Sequence, residues 1–300
     1  MQQVVIFGGS GFLGSLLQEK LTREGFSVVI VDQNPPKQQL GVSFVLADLT
    51  YPITKNDFLR NPYAVINLTG KNIAKRFTEK HRKEIYTTRI ISTRNIVRLF
   101  ENSEYRPSVF IQASAVGYYG NQGNDILDET SDAGSTFLST VVIDWENEAR
   151  IAEQYGVRTV ILRQGNVLGK GGFLSKIIPL YKKWIGGSLG SGQFWFSWIH
   201  RDDLVRLYIH ALHQKTMKGV FNAVASPVIY KDFSRGLAKM LGVPNFITVP
   251  IILLRLVYKG LADEITASTR VVSHRLSHYG FSLHFNDYMH ALWDLKKYWK

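Results

Sequence analysis

The sequence has 300 residues, 45% of them hydrophobic, and its 36 Lys+Arg against 24 Asp+Glu give a formal net charge of +12. A chain of this length buries a sizeable core, as two lobes or as one large domain. It contains no cysteine, which excludes disulfides, thiolate nucleophiles and thiolate metal sites and suits a reducing compartment.

The first element lies in Val4 to Gly14, VVIFGGSGFLG. A β-branched apolar run consistent with a buried parallel strand stops at Gly8-Gly9, and amphipathic sequence follows from Phe12 to Leu21. Gly9, Gly11 and Gly14 fit the dinucleotide fingerprint, and Gly8, Gly11 and Gly14 fit its wider-spaced variant, so the leading glycine stays open between the two. Either register allows a tight turn and lets backbone N–H groups approach a pyrophosphate at a helix start. Gly8, Gly9, Ser10, Gly11, Phe12, Leu13 and Gly14 are therefore the expected cradle. Met1 leads almost directly into this strand, leaving no room for a cleaved leader. The apolar stretch from Phe246 to Leu254 contains Pro250 and is too short to span a bilayer. Together these features predict a cytoplasmic protein with no transmembrane segment.

A second strand, Phe26 to Val31, ends at Asp32, 18 residues beyond Gly14. A carboxylate there can accept the ribose hydroxyls of an adenosine and repels a 2′-phosphate, which favours NAD. Val42 to Leu46 is a third strand with Asp48-Leu49 at its end, where an adenine ring could rest, and Ala64 to Leu68 is a fourth, closing at Thr69-Gly70. Strand ends on one edge of such a sheet converge on the ligand crevice.

Helical periodicity runs from Glu79 to Phe100. Ser108 to Ala113 is a fifth strand, leading into Ser114-Ala115-Val116-Gly117-Tyr118-Tyr119-Gly120. A hydroxyl at a strand end with a tyrosine pair behind it suits carbonyl or alcohol chemistry, one group holding the substrate oxygen and another moving a proton. Ser114, Tyr118 and Tyr119 are the candidate catalytic residues. Thr140 to Gln154 reads as a helix, and Arg158 to Arg163 as a sixth strand followed by Gln164 to Val167, with Val167 expected beside the cofactor.

The glycine turn, NLTG at Asn67 to Gly70, SAVGYYG at Ser114 to Gly120, the WENEA run from Trp145 and GSGQFWFSWIHRDDLV at Gly190 to Val205 resemble the atypical branch of the extended short-chain dehydrogenase/reductase superfamily. More narrowly, they resemble its epimerase-family subgroup, labelled sugar-nucleotide epimerase-like or, for some bacterial members, cell-division inhibitor. The resemblance covers essentially the whole chain, including a C-terminal region similar to that subgroup's small domain. It implies an α/β Rossmann-type doubly wound parallel sheet with a smaller, mostly helical C-terminal substrate lobe. Residues 1–168, with 190–225 returning to them, would bind NAD or NADP, and 169–189 with 226–300 would form the smaller lobe.

Three departures decide how far chemistry carries over. The superfamily's Tyr-x-x-x-Lys pair falls near Phe137 and Val141, neither of which moves a proton, so any catalytic proton must come from another group. The subgroup resembles this chain in carrying Glu84 and Arg89 on the helix after the fourth strand, which the resemblance assigns to the cofactor together with Leu68, Thr69 and Gly70. A third departure concerns the cofactor's phosphate. Where the subgroup has a small hydroxyl residue followed by Arg, which suits NADP, this chain has Asp32-Gln33, and the local charge favours NAD.

In the second half, Phe173 to Trp184 is a basic, aromatic segment that could cover the active site or form a surface helix. Phe194 to His200 is strand-like, Asp202-Asp203 begin a helix, and Asp232 to Leu241 and Pro250 to Leu261 read as helices. Residues 1–150 hold 16 basic and 16 acidic side chains, so 36 − 16 = 20 basic and 24 − 16 = 8 acidic remain for residues 151–300. That excess favours an anionic small molecule, or a membrane face, or only a solvated surface. The sequence has neither an RNA-binding signature nor zinc-finger spacing, the histidines make no metal motif, and neither nucleic acid nor metal is expected. A homo-oligomer is compatible with the chain. The expected activity is an NAD(P)-dependent oxidoreductase or epimerase/dehydratase acting at an alcohol or carbonyl of a phosphorylated or nucleotide-linked substrate. The rival is a non-catalytic, nucleotide-binding regulator or interaction protein.

Overall fold

The apolar runs of the first 223 residues assemble into one sheet, seen here in a computed structural model that describes residues 1–37, 41–54 and 57–299. Its strands are β1 (Gln3–Phe7), β2 (Ser27–Asp32), β3 (Ser43–Leu46), β4 (Ala64–Asn67), β5 (Val109–Ala115), β6 (Arg158–Gln164) and β7 (Gly219–Ala223). They lie in the order β7-β6-β5-β4-β1-β2-β3, and every pairing is parallel. The strands must be apolar on both sides because helices cover both faces of a parallel sheet. The order reverses between β1 and β4, where a doubly wound sheet opens its ligand crevice.

The helices are α1 (Phe12–Arg23), α2 (Glu79–Arg98), α3 (Phe137–Arg150), α4 (Leu174–Lys182), α5 (Arg201–His213), α6 (Tyr230–Leu241), α7 (Ile251–Tyr258), α8 (Leu261–Ile265) and α9 (Tyr288–Leu295). On one face Val4, Ile6, Ile111 and Leu162 pack against Leu17 and Leu21 of α1 and Leu204 and Leu207 of α5. On the other, Val5, Phe7, Phe110 and Ile161 meet Ile96 and Val97 of α2, Phe100 just after it, and Ala149 of α3. Fully burying each large aliphatic side chain contributes about 1.5–3 kcal/mol. A second core joins Ile178 and Tyr181 of α4, Phe233 and Leu237 of α6 and Leu292 of α9 under Trp198. No helix among the described residues is long and apolar enough to cross a membrane.

Among the boundaries that differ from expectation, three have a physical reason in the structure. Strand β5 runs to Ala115, so Ser114 is a paired strand residue opposite Arg163 rather than the start of a loop. Helix α3 starts at Phe137 because Thr136 accepts the Ser139 N–H and the Glu264 carboxylate, distant in sequence, accepts the Leu138 N–H. The helix expected from Pro250 to Leu261 is broken after Tyr258 by Lys259 at φ 54°, giving α7 and α8.

Candidate functional site

Gly8 and Gly14 are both needed, for different reasons. Gly8 has φ 73°, and a Cβ there would lie 2.9 Å from the Leu68 carbonyl carbon and the Thr69 nitrogen at the end of β4. A Cβ on Gly14 would lie 2.1 Å from the Gly9 oxygen, so these two glycines set how closely α1 approaches the turn. Gly11 is the open one, with nothing nearer than the Gly8 oxygen at 3.8 Å. It is the N-cap of α1 and supplies no capping side chain. The N–H groups of Phe12, Leu13 and Gly14 have no acceptor among the described residues. Unfilled amides at the positive end of a helix are an anion site, and they fit a dinucleotide pyrophosphate.

Asp32 stands at the end of β2 and accepts the Ser10 N–H at 3.0 Å, tying the turn to the strand. Its other oxygen makes only a long contact, 3.4 Å, from the Asn34 N–H, and Gln33 beside it is exposed. Asp48 is exposed and folds an Asx turn by accepting the Thr50 N–H and hydroxyl at 3.0 and 2.7 Å. Leu49 points the other way: it is buried in the core beneath the sheet, and its carbonyl accepts from Asn95 of α2.

The end of β4 is shaped by buried polar groups. Asn67 accepts both the N–H and the hydroxyl of Thr69 while donating to Thr93 and Gln112, and Trp145 of α3 also donates to Thr93. Gly70 lies under Arg89, where a Cβ would be 3.0 Å from the guanidinium carbon. Arg89 donates to the Lys71 carbonyl at 3.0 Å, stacks 5.1 Å from the Trp145 ring and has no carboxylate partner among the described residues. Burial lowers its pKa to about 10. Glu84 does not reach Arg89; it pairs with Lys71 at 3.4 Å. Desolvation opposes its charge, but Lys71 and His81 together hold its carboxyl below the usual value.

Ser114, at the end of β5, is buried and donates its hydroxyl to Glu146 of α3 at 2.6 Å. Arg163 of β6 grips the same carboxylate through two bonds, 2.8 and 2.9 Å, and Arg150 adds a third at 3.1 Å. Burial works against the Arg163 charge, and Glu146 outweighs it, raising the pKa above the ordinary arginine value. The Arg163 guanidinium lies 3.3 Å from the Tyr118 ring centroid. The half-buried Tyr118 offers a hydroxyl with no hydrogen bond to the described residues. Tyr119 is different: fully buried, it takes a bond from Arg163 at 3.0 Å and meets Asn222 and the Asp128 carbonyl at 2.7 and 2.8 Å. Burial first of all pushes its phenol up to about 12. Its hydroxyl is thus enclosed in protein, while that of Tyr118 is not.

The structure therefore brings the glycine turn, Asp32, Thr69, Gly70, Arg89, Ser114 and Tyr118 to one edge of the sheet. Ser114 is two strands from β1, roughly 10 Å across. Val167 sits half-buried in a short strand paired with Ile199. Phe12 lies beneath Gly169, Gly171 and Gly172, whose Cβ positions would fall 2.7–3.1 Å from its ring, so this glycine loop with exposed Lys170 roofs the start of α1. Helix α4 reaches back to the first half through Lys176, which donates to Asn72 at 3.0 Å. Partial desolvation and the nearby Lys75 charge lower the Lys176 pKa.

Sequence reasoning missed Glu146 and Arg163. Their signal was a charge on each of two otherwise apolar faces, the inner side of α3 and the interior of an apolar strand; two such charges of opposite sign must find each other. His200, Asp202 and Asp294 place three possible ligand atoms within 4.8 Å of one another. His200 is nevertheless a helix cap: its Nδ1 accepts the Asp202 N–H, and its ring stacks 3.9 Å from Phe285. Arg201 and Lys297 pair with the two carboxylates.

The NAD dependent epimerase/dehydratase family model matches residues 4–223. The chain is 34% identical to "Epimerase family protein SDR39U1 homolog, chloroplastic" of Arabidopsis thaliana, over 96% of this chain and 85% of the relative. It is 32% identical to Epimerase family protein YfhF of Bacillus subtilis over 97% of each. Among solved structures, human epimerase family protein SDR39U1 (isoform2) with NADPH is similar at TM-score 0.87 and 27% identity, over 99% of both chains. MoeE5 in complex with UDP-glucuronic acid and NAD shares the fold at TM-score 0.83 and 18% identity, over 99% of this chain and 98% of that one.

Proposed function

Because the chain belongs to the NAD dependent epimerase/dehydratase family, we propose that it is an enzyme using NAD, in preference to NADP, at an alcohol or carbonyl carbon of a phosphorylated or nucleotide-linked substrate. The observation that carries this reading is the Ser114–Glu146–Arg163 assembly with the free Tyr118 hydroxyl, on the same sheet edge as the unfilled amides of α1.

The cradle from Gly8 to Gly14 would hold the pyrophosphate, Asp32 the adenosine ribose, and Thr69, Gly70 and Arg89 the stretch towards Ser114. When bound, the dinucleotide supplies a hydride acceptor or donor. The protein supplies positioning and the proton. Ser114 donates its hydroxyl hydrogen bond to Glu146, so its oxygen keeps its lone pairs to accept from a substrate hydroxyl. The Arg163 clamp fixes Glu146, and therefore the Ser114 rotor. Tyr118 is the group assigned to give or take the proton, and Tyr119 is assigned to holding Arg163. Lys75, Lys170 and Lys176 stand near the mouth as partners for an anionic substrate. Residues 1–168 with 190–225 would bind the cofactor and the remainder the substrate.

Phe137 and Val141, where the superfamily has its tyrosine and lysine, favour the rival reading of a nucleotide-gated regulator without turnover. One experiment separates the two: incubation with oxidised and reduced cofactor and a panel of phosphorylated and nucleotide-linked sugars, following nicotinamide absorbance and product epimers. Turnover that falls about 100-fold in Ser114→Ala and in Tyr118→Phe, with cofactor affinity unchanged, supports the enzyme. Tight cofactor binding without turnover on any panel member supports the regulator.

A further inference from the structure

The positive excess of the second half finds only part of its use near the cleft, and another part, Lys182, Lys183, Arg255 and Lys259, lies in the two segments that carry an exposed apolar face. On α7, Ile252, Leu253, Leu256 and Val257 are each exposed, and only Leu254 of that helix is buried. The strand before α7, Ile247–Val249, pairs in parallel with Gly187–Leu189. Just ahead of the ribbon so formed stand Phe246 on one strand and Trp184-Ile185 on the other. The seven side chains are between 52% and 72% exposed. Three residues of strand span only about 10 Å, so the two groups stand at the two ends of one short ribbon.

Two further observations say that this exposure is built. Among the described residues, the non-glycine positions with positive φ are Asn61, Trp184 and Lys259, and two of those three lie on this face. A bulky residue held at φ 61° while exposed is strained without gaining burial, and such strain collects at functional positions. The charge is also predominantly positive. Residues 173–191 and 244–262 contain five Lys+Arg and no Asp or Glu. Arg255 is taken up by Asp263 through bonds of 3.0 and 2.8 Å. Lys182, Lys183 and Lys259 have no carboxylate partner among the described residues.

We propose that this face, α7 with Trp184, Ile185 and Phe246, docks on an anionic lipid bilayer surface. The isoleucine, leucine and valine side chains of α7 would enter the boundary between headgroups and acyl chains, and Trp184 and Phe246 would sit at headgroup level. Lys182, Lys183 and Lys259 would meet lipid phosphates. The charge argues against a second copy of the chain: a two-fold contact through this face would bring Lys183 and Lys259 of both copies together, with the nearby Asp263 already taken up by Arg255.

The test is flotation of the full chain with vesicles of phosphatidylcholine alone and of phosphatidylcholine mixed with phosphatidylglycerol. Expected is binding to the mixed vesicles that weakens with salt. Ile252→Glu/Leu256→Glu should lower partitioning at least about tenfold, and Lys183→Glu/Lys259→Glu should remove the preference for anionic lipid. Unchanged thermal unfolding and cofactor affinity would show that both variants fold. No wild-type binding, equal binding to uncharged vesicles, or undiminished binding of the α7 variant overturns the proposal. So does light scattering that finds a wild-type dimer which Ile252→Glu/Leu256→Glu converts to monomer, because the face would then belong to a second copy.

Discussion

At the turn between β1 and α1 the chain presents backbone: three amides without acceptors, and glycines whose missing Cβ atoms let neighbouring backbone approach. At the end of β5 it presents side chains: a serine, a glutamate, two arginines and two tyrosines drawn from three separate stretches of sequence. The first region is open and unsatisfied, as suits a surface awaiting an anion. The second, apart from Tyr118, is closed and satisfied, which suits groups that must be held in one orientation. Stability should therefore be concentrated in the second region and ligand affinity in the first.

The largest expected effect tests the second region. Glu146→Ala leaves Arg163 buried without its carboxylate and frees the Ser114 hydroxyl, and should destabilise the fold by about 3–5 kcal/mol, read by urea unfolding. Cofactor affinity, measured where the variant is still folded, should be unchanged. A loss of affinity matching the loss of stability would break the distinction between the regions.

Gly14→Ala is the converse experiment. Its Cβ would collide with the Gly9 oxygen, so the turn must shift, at a cost of about 1–3 kcal/mol. The same shift misdirects the amides of Phe12 and Leu13, and titration by nicotinamide fluorescence should show cofactor binding lost. Binding that survives in this variant would move the anion site away from α1.

The same contrast explains what could be read beforehand. Six strands and the glycine turn were legible because β-branched runs and glycine spacing are local signals. β7 was not, since Gly219–Ala223 becomes a strand only by pairing beside β6. The start of α3 was misplaced because Glu264, far along the chain, supplies one of its caps. In the site, backbone roles were visible from spacing, whereas the directions of Tyr118 and Tyr119 were not: adjacent residues in one motif, they differ because Arg163 stacks on one ring and hydrogen-bonds the other hydroxyl. Leu49 likewise followed the core rather than the crevice.

The smallest effect sharpens the first region, where one side chain joins the backbone. Asp32 fixes Ser10, and the proposed function gives it a second role that the sequence alone cannot separate from the first, repelling a 2′-phosphate. Asp32→Asn keeps an oxygen for the Ser10 N–H and removes the charge. Two unit charges about 4 Å apart in water repel by about 1 kcal/mol, and a phosphate monoester carries roughly −1.5 to −2. The substitution should therefore improve NADPH relative to NADH by on the order of tenfold, with little change in unfolding free energy. Asp32→Ala, which also releases Ser10, should weaken both nucleotides. If Asp32→Asn leaves the NADPH to NADH ratio where it was, the carboxylate serves only the turn, and cofactor choice must rest on residues beyond β2.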